Sequence, residues 1–175
     1  MHHLANVNIA KLRAPIDDPL IADFVAGLPT VNALADVAPG FVWRLQTDDG
    51  DATAIRAFPD PDVIVNLTVW ESIEALKEFV YKGSHLDVFR RRGEWFHPEG
   101  RALALWWIDA GTVPTVEEAR ERIEHLAAHG PTARAFTFAS VFPPPAGAVA
   151  TDAVATDAGS ATAGVVDQGR LESQH

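Results

Sequence analysis

The chain has 175 residues, 47% of them apolar, and a formal charge of −10 from 14 Lys and Arg against 24 Asp and Glu. That length points to one domain with room for a real core, and the acidic balance argues against nucleic acid as a partner, because phosphate binding wants a basic face. Cysteine is absent, which excludes disulfides, thiolate metal sites and a Cys nucleophile.

The opening "MHHLANVNIAKLRAP" does not read as a signal peptide, since its apolar run is short and broken by Asn and Lys. No window approaches the roughly 18 apolar residues of a membrane helix, so a cytoplasmic protein without membrane contact is expected. Residues 3–10 alternate as a strand. In "DDPLIADFVAGL" Asp18 can cap a helix, Pro19 suits its first position, and Leu20, Phe24 and Leu28 share a face. Pro29 is expected to interrupt, with a second short helix through "VNALADVA". "GFVWRLQT" reads as a strand, "DDGDAT" as a turn and "DVIVNLTVW" as the clearest strand. Ser72 caps a helix bearing Ile73, Leu76, Phe79 and Val80; Gly83 interrupts it and 84–92 resumes. "ALALWWID" is a fourth strand. Thr115 and Glu118 form a capping box for a last helix that buries Val116, Ala119, Ile123 and Leu126 and stops at Gly130-Pro131. "AFTFASVF" reads as a short closing strand.

From Ala146 onward the chain is Ala, Gly, Thr and Asp without an aromatic residue, and "FPPP" at 142–145 punctuates the change. Such a segment buries too little surface to offset its ordering entropy. The expected organisation is a domain over 1–145 and a disordered tail over 146–175. The order β-α-β-β-α-β, plus one helix and an extension, is the ferredoxin-like arrangement: an α+β fold with an antiparallel four-stranded sheet and helices on one face.

Sorting the strands by their period of two gives two faces. One set is wholly apolar (Ala5, Val7 and Ile9; Phe41, Trp43 and Leu45; Val63, Val65, Leu67 and Val69; Leu103, Leu105 and Trp107) and is expected under the helices. The other mixes Asn6, Asn8, Arg44, Gln46, Asn66 and Thr68 with Ile64, Trp70, Ala104, Trp106 and Ile108. Convergent amides, a cation and indoles describe a small-molecule cavity, here sealed by a second subunit. A polar dimer interface without ligand is the alternative, and a register shifted by one residue would exchange the two faces.

The stretches "WESIEALKEFVYKGSHLDVFRRRGEWF", "FVWRLQTDDGDATAIRAF" and "HGPTARAFTF" with "FPPP" resemble the family known as domain of unknown function 3291 over residues 3–145. The resemblance implies membership of the dimeric α+β barrel superfamily, beside the antibiotic-biosynthesis monooxygenases, and hence a homodimer. Those enzymes oxidise aromatic polyketides without metal or flavin. They often carry an Asn four residues before a Trp at the end of the third strand, a spacing that Asn66 and Trp70 keep. Their Tyr six positions after the Trp is Leu76 here, and Tyr81 is the only tyrosine, a departure from the oxygenase pattern. His85 looks like the counterpart of a His common in the following helix. Haem-degrading relatives place a Trp ten residues before their haem-ligating His; that position is Ala75, although Asn6 matches their Asn.

The expected function is therefore that of a small-molecule enzyme acting without cofactor on a largely apolar organic substrate by oxygenation, isomerisation or cyclisation. His85, Asn66 and Trp70 are the expected catalytic residues, and Asn6, Asn8, Arg44, Thr68, Trp106 and Arg92 the substrate-binding ones. No metal is expected. A non-catalytic metabolite binder and a haem protein with His85 as axial ligand are the other readings. In "SHLDVFRRRGEWFH" the arginines point in different directions on a helix, and Trp95 and Phe96 read as core anchors.

Overall fold

The computed structural model describes residues 1–81 and 85–146, and only the backbone of 85–89. The tail expected from residue 146 thus lies, from residue 147 on, outside the described residues. Strand β1 (His2–Leu12) is followed by helix α1 (Ala22–Asp36), strands β2 (Phe41–Arg44) and β3 (Val63–Trp70), helices α2 (Ile73–Tyr81) and α3 (His85–Trp95), strand β4 (Phe96–Asp109) and helix α4 (Val116–His129). The strands lie in the order β2-β3-β1-β4, every neighbour antiparallel. This is the ferredoxin-like α+β sheet, with the second crossover broken into α2 and α3. Among the described residues no helix is long and apolar enough to cross a membrane.

Two of the three expected caps form. Ser72 Oγ accepts from the Ala75 amide at 3.1 Å, and Thr115 Oγ1 from the Glu118 amide at 3.1 Å. Gly130 ends α4 with φ of 72°, a conformation that suits glycine. Three boundaries differ from expectation. Helix α1 starts at Ala22 with Ile21 as its N-cap, so Asp18, whose Oδ1 accepts from the Leu20 amide at 2.8 Å, shapes the turn before it and Pro19 lies outside the helix. Helix α1 runs through Pro29 unbroken, because the apolar stripe Phe24, Leu28, Val31 and Ala35, half-buried to buried, faces the sheet on both sides of it. Strand β4 begins six residues before "ALALWWID", at Phe96. Gly100 allows this: a Cβ there would sit 2.4 Å from the Lys11 Cβ on the facing strand. The expected closing strand reduces to one rung, in which Leu105 and Phe136 exchange N–H···O bonds of 2.8 and 2.9 Å.

The register settles the two faces. Asn6 stands opposite Thr68 on β3 and Leu105 on β4, whereas Ala5 stands opposite Val69 and Trp106. Directly opposed residues of antiparallel strands share a face. Leu103, Leu105 and Trp107 therefore lie with the asparagines, and Ala104, Trp106 and Ile108 lie with Ala5 and Val7. The sequence reading had β4 the other way round. The reason is that "ALALWWID" is apolar at both parities, because both faces of β4 are covered. Phe41 also joins the asparagine face, opposite Trp70, since β2 shifts register between Phe41 and Trp43.

Both faces of the sheet carry helices. Helix α4 (Ala119, Ile123) and the β2–β3 connection (Ala57) close the apolar face over Val7, Val65, Leu67 and Trp106. Helix α2 packs Ile73 and Leu76 with Phe136 on Leu4, Trp70 and Leu105 at one end of the asparagine face. Phe24 of α1 and Trp95 of α3 pack with Ile21, Leu12 and Phe96 at the other end. The ferredoxin-like helices thus cover the asparagine face, and the helix added after β4 covers the wholly apolar one. Trp95 and Phe96 are core anchors, within 5.7 and 5.0 Å of the Phe24 ring.

Pro29 is exposed on α1 and has no N–H to give to the Val25 carbonyl. Pro29→Ala should raise the unfolding free energy by about 1–3 kcal/mol, read as a higher urea midpoint at unchanged slope. An unchanged or lower midpoint would show that the proline is favourable there.

Candidate functional site

Between the asparagine face and helices α1–α3 lies a cavity of about 520 Å³. Its floor is Asn6, Asn8 and Ala10 of β1, Ile64, Asn66, Thr68 and Trp70 of β3, and Leu103 of β4. Its roof is the Phe24, Leu28, Val31 and Ala35 stripe of α1 with Leu76, Phe79 and Val80 of α2. Asp51, Ala52 and Thr53 close it on the β2 side, and Phe138 on the side of the chain after α4. The walls are mostly apolar and the amides Asn6, Asn8 and Asn66 sit together on the floor, the arrangement of a small-molecule site.

The floor has two rows. In the first, Thr68 Oγ1 accepts from Asn6 Nδ2 at 3.1 Å and from Trp70 Nε1 at 2.9 Å, all three residues being buried. One hydroxyl oxygen thereby holds an amide and an indole in place. Asn6 Oδ1 is buried and has no partner among the described residues. In the second row, Asn8 and Asn66 face each other across β1 and β3. Among the described residues neither amide makes a hydrogen bond. With Asn6 Oδ1 they are the polar groups on the floor that remain available to a guest.

Seven of the nine residues expected to form the site are brought to this cavity: Asn6, Asn8, Arg44, Asn66, Thr68, Trp70 and Arg92. Its roof is formed by the chain's own helices α1 and α2. Trp106 is a correction. It lies on the opposite face under α4, where its Nε1 donates to Glu118 Oε1 at 3.0 Å and the Arg122 guanidinium stacks 5.6 Å from its ring. His85 opens α3, but its side chain lies outside the described residues. Arg44 is on the cavity wall with its guanidinium engaged. It donates from Nε and Nη2 to the Asp36 carboxylate at 2.8 and 3.1 Å, and from Nη1 to the Gly50 carbonyl at 2.7 Å. That fork ties the end of α1 to the β2–β3 connection. Arg92 lines the cavity half-buried from α3 and makes a contact of its own within the chain.

Arg101, Asn32 and the loop residues Asp51–Thr53 line the cavity without having been expected. Arg101 falls in "HPEGR", whose Pro and Gly read as loop rather than as the start of β4. The His125–His129 pair at the end of α4 stacks at 4.5 Å, with His125 Nε2 2.9 Å from Thr132 Oγ1. Burial first, and then the charges of His129, Arg134 and Arg122, hold His125 below the usual histidine pKa. No group of three or more metal-binding side chains gathers among the described residues.

The family model described as "Domain of unknown function (DUF3291)" matches residues 3–152. No curated protein matches the sequence. Among solved structures, the chain is similar to a variant of SnoaB, a cofactor-independent oxygenase from Streptomyces nogalater, at 16% identity and TM-score 0.44, over 65% of this chain and 98% of that one. It is also similar to a provisionally named antibiotic biosynthesis monooxygenase from Nitrosomonas europaea, at 14% identity and TM-score 0.46, over 63% and 94% of the two chains. A protein from Mycobacterium tuberculosis, Rv0793, matches at 14% identity and TM-score 0.42, over 65% and 99%. Likenesses at these scores decide nothing about the activity of this chain.

Thr68→Val keeps the shape of the side chain but strands two buried donors, Asn6 Nδ2 and Trp70 Nε1. It should cost about 2–4 kcal/mol in unfolding free energy, whereas Thr68→Ser, which keeps the oxygen, should cost about 1 kcal/mol. Equal denaturation midpoints for the two variants would mean that the shared hydroxyl does not organise the floor.

Proposed function

The chain belongs to the family described as domain of unknown function (DUF3291), and from that premise we propose that it is an enzyme acting on a small, largely apolar organic molecule held between the sheet and helices α1–α3. The reaction class is oxygenation, isomerisation or cyclisation without a cofactor. The observation that carries this reading is the Asn8–Asn66 pair: two amides without hydrogen-bond partners among the described residues, fixed on central strands at the floor of a largely apolar cavity. Asn8 is half-buried and Asn66 exposed, so both amides are accessible to a guest. A pair left unpartnered and preorganised suits a carbonyl, phenol or enol oxygen of a substrate, whose developing negative charge the two N–H groups would stabilise. Trp70 and Phe79, 5.2 Å apart, form a wall that packs the carbon skeleton and excludes water. His85, at the start of α3, is the proposed proton carrier. The homodimer implied by the family resemblance is part of the same proposal.

A non-catalytic metabolite binder is the second reading. It is favoured by Asn6 and Arg44, both expected to bind substrate, since Asn6 Nδ2 and the Arg44 guanidinium are engaged by the protein itself.

Native mass spectrometry of freshly purified protein should reveal a retained small molecule. Val31→Trp, which fills the cavity from α1, should abolish that retention, and Val25→Trp on the outer face of α1 should preserve it. Retention unaffected by Val31→Trp would place the ligand elsewhere. With the retained molecule as substrate, Asn66→Ala should lower kcat by about 10²–10³. A complete absence of turnover by the unmodified protein would leave the binder reading.

A further inference from the structure

One polar atom of the cavity floor is both buried and unmatched. Asn6 is 3% exposed and lines the cavity from β1, the strand between β3 and β4. Its Nδ2 donates to Thr68 Oγ1 at 3.1 Å, and the same oxygen accepts from Trp70 Nε1 at 2.9 Å. An amide is planar and trigonal, so turning its nitrogen to Thr68 on β3 turns its oxygen away from that strand. Among the described residues nothing donates to that oxygen. Its neighbours explain why. Leu4 comes two residues before it on the same face of β1 and Leu105 stands opposite it on β4, and neither side chain has a donor. The indole N–H of Trp70 is already engaged by Thr68. Asn8 belongs to the next row, about 6.5–7 Å along the strand. Such an oxygen stays desolvated without compensation until a donor reaches it.

Resting on the proposed small-molecule site, we infer that its ligand carries a hydrogen-bond donor, a hydroxyl or N–H group, that docks on Asn6 Oδ1, and that Asn6 selects for it. Thr68 sets the polarity. Because it holds the amide nitrogen, the free atom is an acceptor, so an ether, ketone or carboxylate oxygen placed there would leave two acceptors facing each other. The Asn8–Asn66 pair, one row away, is left to hold a second polar atom, an oxygen. The ligand is then polar at two points about 6.5–7 Å apart, joined by an apolar skeleton packed on Trp70, Leu76 and Phe79. A para-hydroxyaryl ketone has this form, with its hydroxyl and carbonyl at opposite ends of one ring.

The test uses matched probes, para-hydroxyacetophenone and para-methylacetophenone, titrated by calorimetry into the full chain. They share shape and carbonyl and differ in the donor. The hydroxyl probe should bind about tenfold more tightly, although the methyl probe is the more apolar. Para-aminoacetophenone, a second donor, should share the advantage over the methyl probe, a comparison that needs no variant. Asn6→Leu, which keeps the side-chain shape and leaves Thr68 its bond from Trp70, should remove the advantage, with methyl-probe affinity within about twofold of the starting value. Asn66→Ala should weaken the hydroxyl and methyl probes by similar factors and preserve their ratio. Equal binding of these two probes, an advantage that survives Asn6→Leu, or one that disappears with Asn66→Ala overturns the donor assignment and leaves the cavity reading standing. Binding undiminished by Val31→Trp, or no binding of any probe, overturns the cavity reading and the assignment with it.

Discussion

Strand β1 lies between β3 and β4, and its register against both decides the rest of the molecule. Opposing Asn6 to Thr68 and Leu105 commits every even position of β1 to one face and every odd position to the other. A slip of one residue would bury the asparagines in the apolar core under α4 and would turn Val7 and Ile9 into the cavity. The shared Thr68 hydroxyl reinforces the choice. It gives partners to an amide and an indole that would be costly to bury alone. Register and polar satisfaction therefore support each other, as expected of a chain with one well-defined fold.

Covering both faces has a consequence for the site. On the apolar face, α4 and the β2–β3 connection pack closely. On the asparagine face, the helices make contact mainly at the two ends, through Ile73 and Leu76 at one and Phe24 and Trp95 at the other. The middle, over Asn8 and Asn66, is left open as the cavity. The Arg44 fork holds the β2 side shut by linking Asp36 of α1 to Gly50, and Asn32 Nδ2 donates to the same Gly50 carbonyl at 3.2 Å. Arg44 is thus a structural clamp in the wall. The amides that remain for chemistry lie one row further along the strands.

Much of this was legible in the residues. The element order follows from periodicity, Ser72 and Thr115 from their spacing to the helices they cap, and the polar set of β1 and β3 from simple alternation. What failed to show has identifiable physical causes. A strand covered on both sides, such as β4, carries no polar mark to orient it, so Trp106 could be assigned to either face. Pro29 reads as a breaker because propensity is local, whereas the buried stripe of α1 is a tertiary fact. Arg101 was hidden by a Pro and a Gly that suit a strand only because Lys11 approaches so closely at Gly100. The engagement of Arg44 could not be read from its strand, since its partner Asp36 belongs to the helix before it.

The account depends most on an open space bounded by Asn66 on one side and helix α1 on the other, with Trp106 on the far side of the sheet. Crystals of the protein pressurised with xenon, a probe of apolar cavities, would report on it without knowledge of any ligand. Xenon bound among Leu76, Phe79, Leu103 and Phe138 is the predicted result. Xenon seated against Trp106 on the α4 side, or side chains filling the space above Asn66, would contradict it.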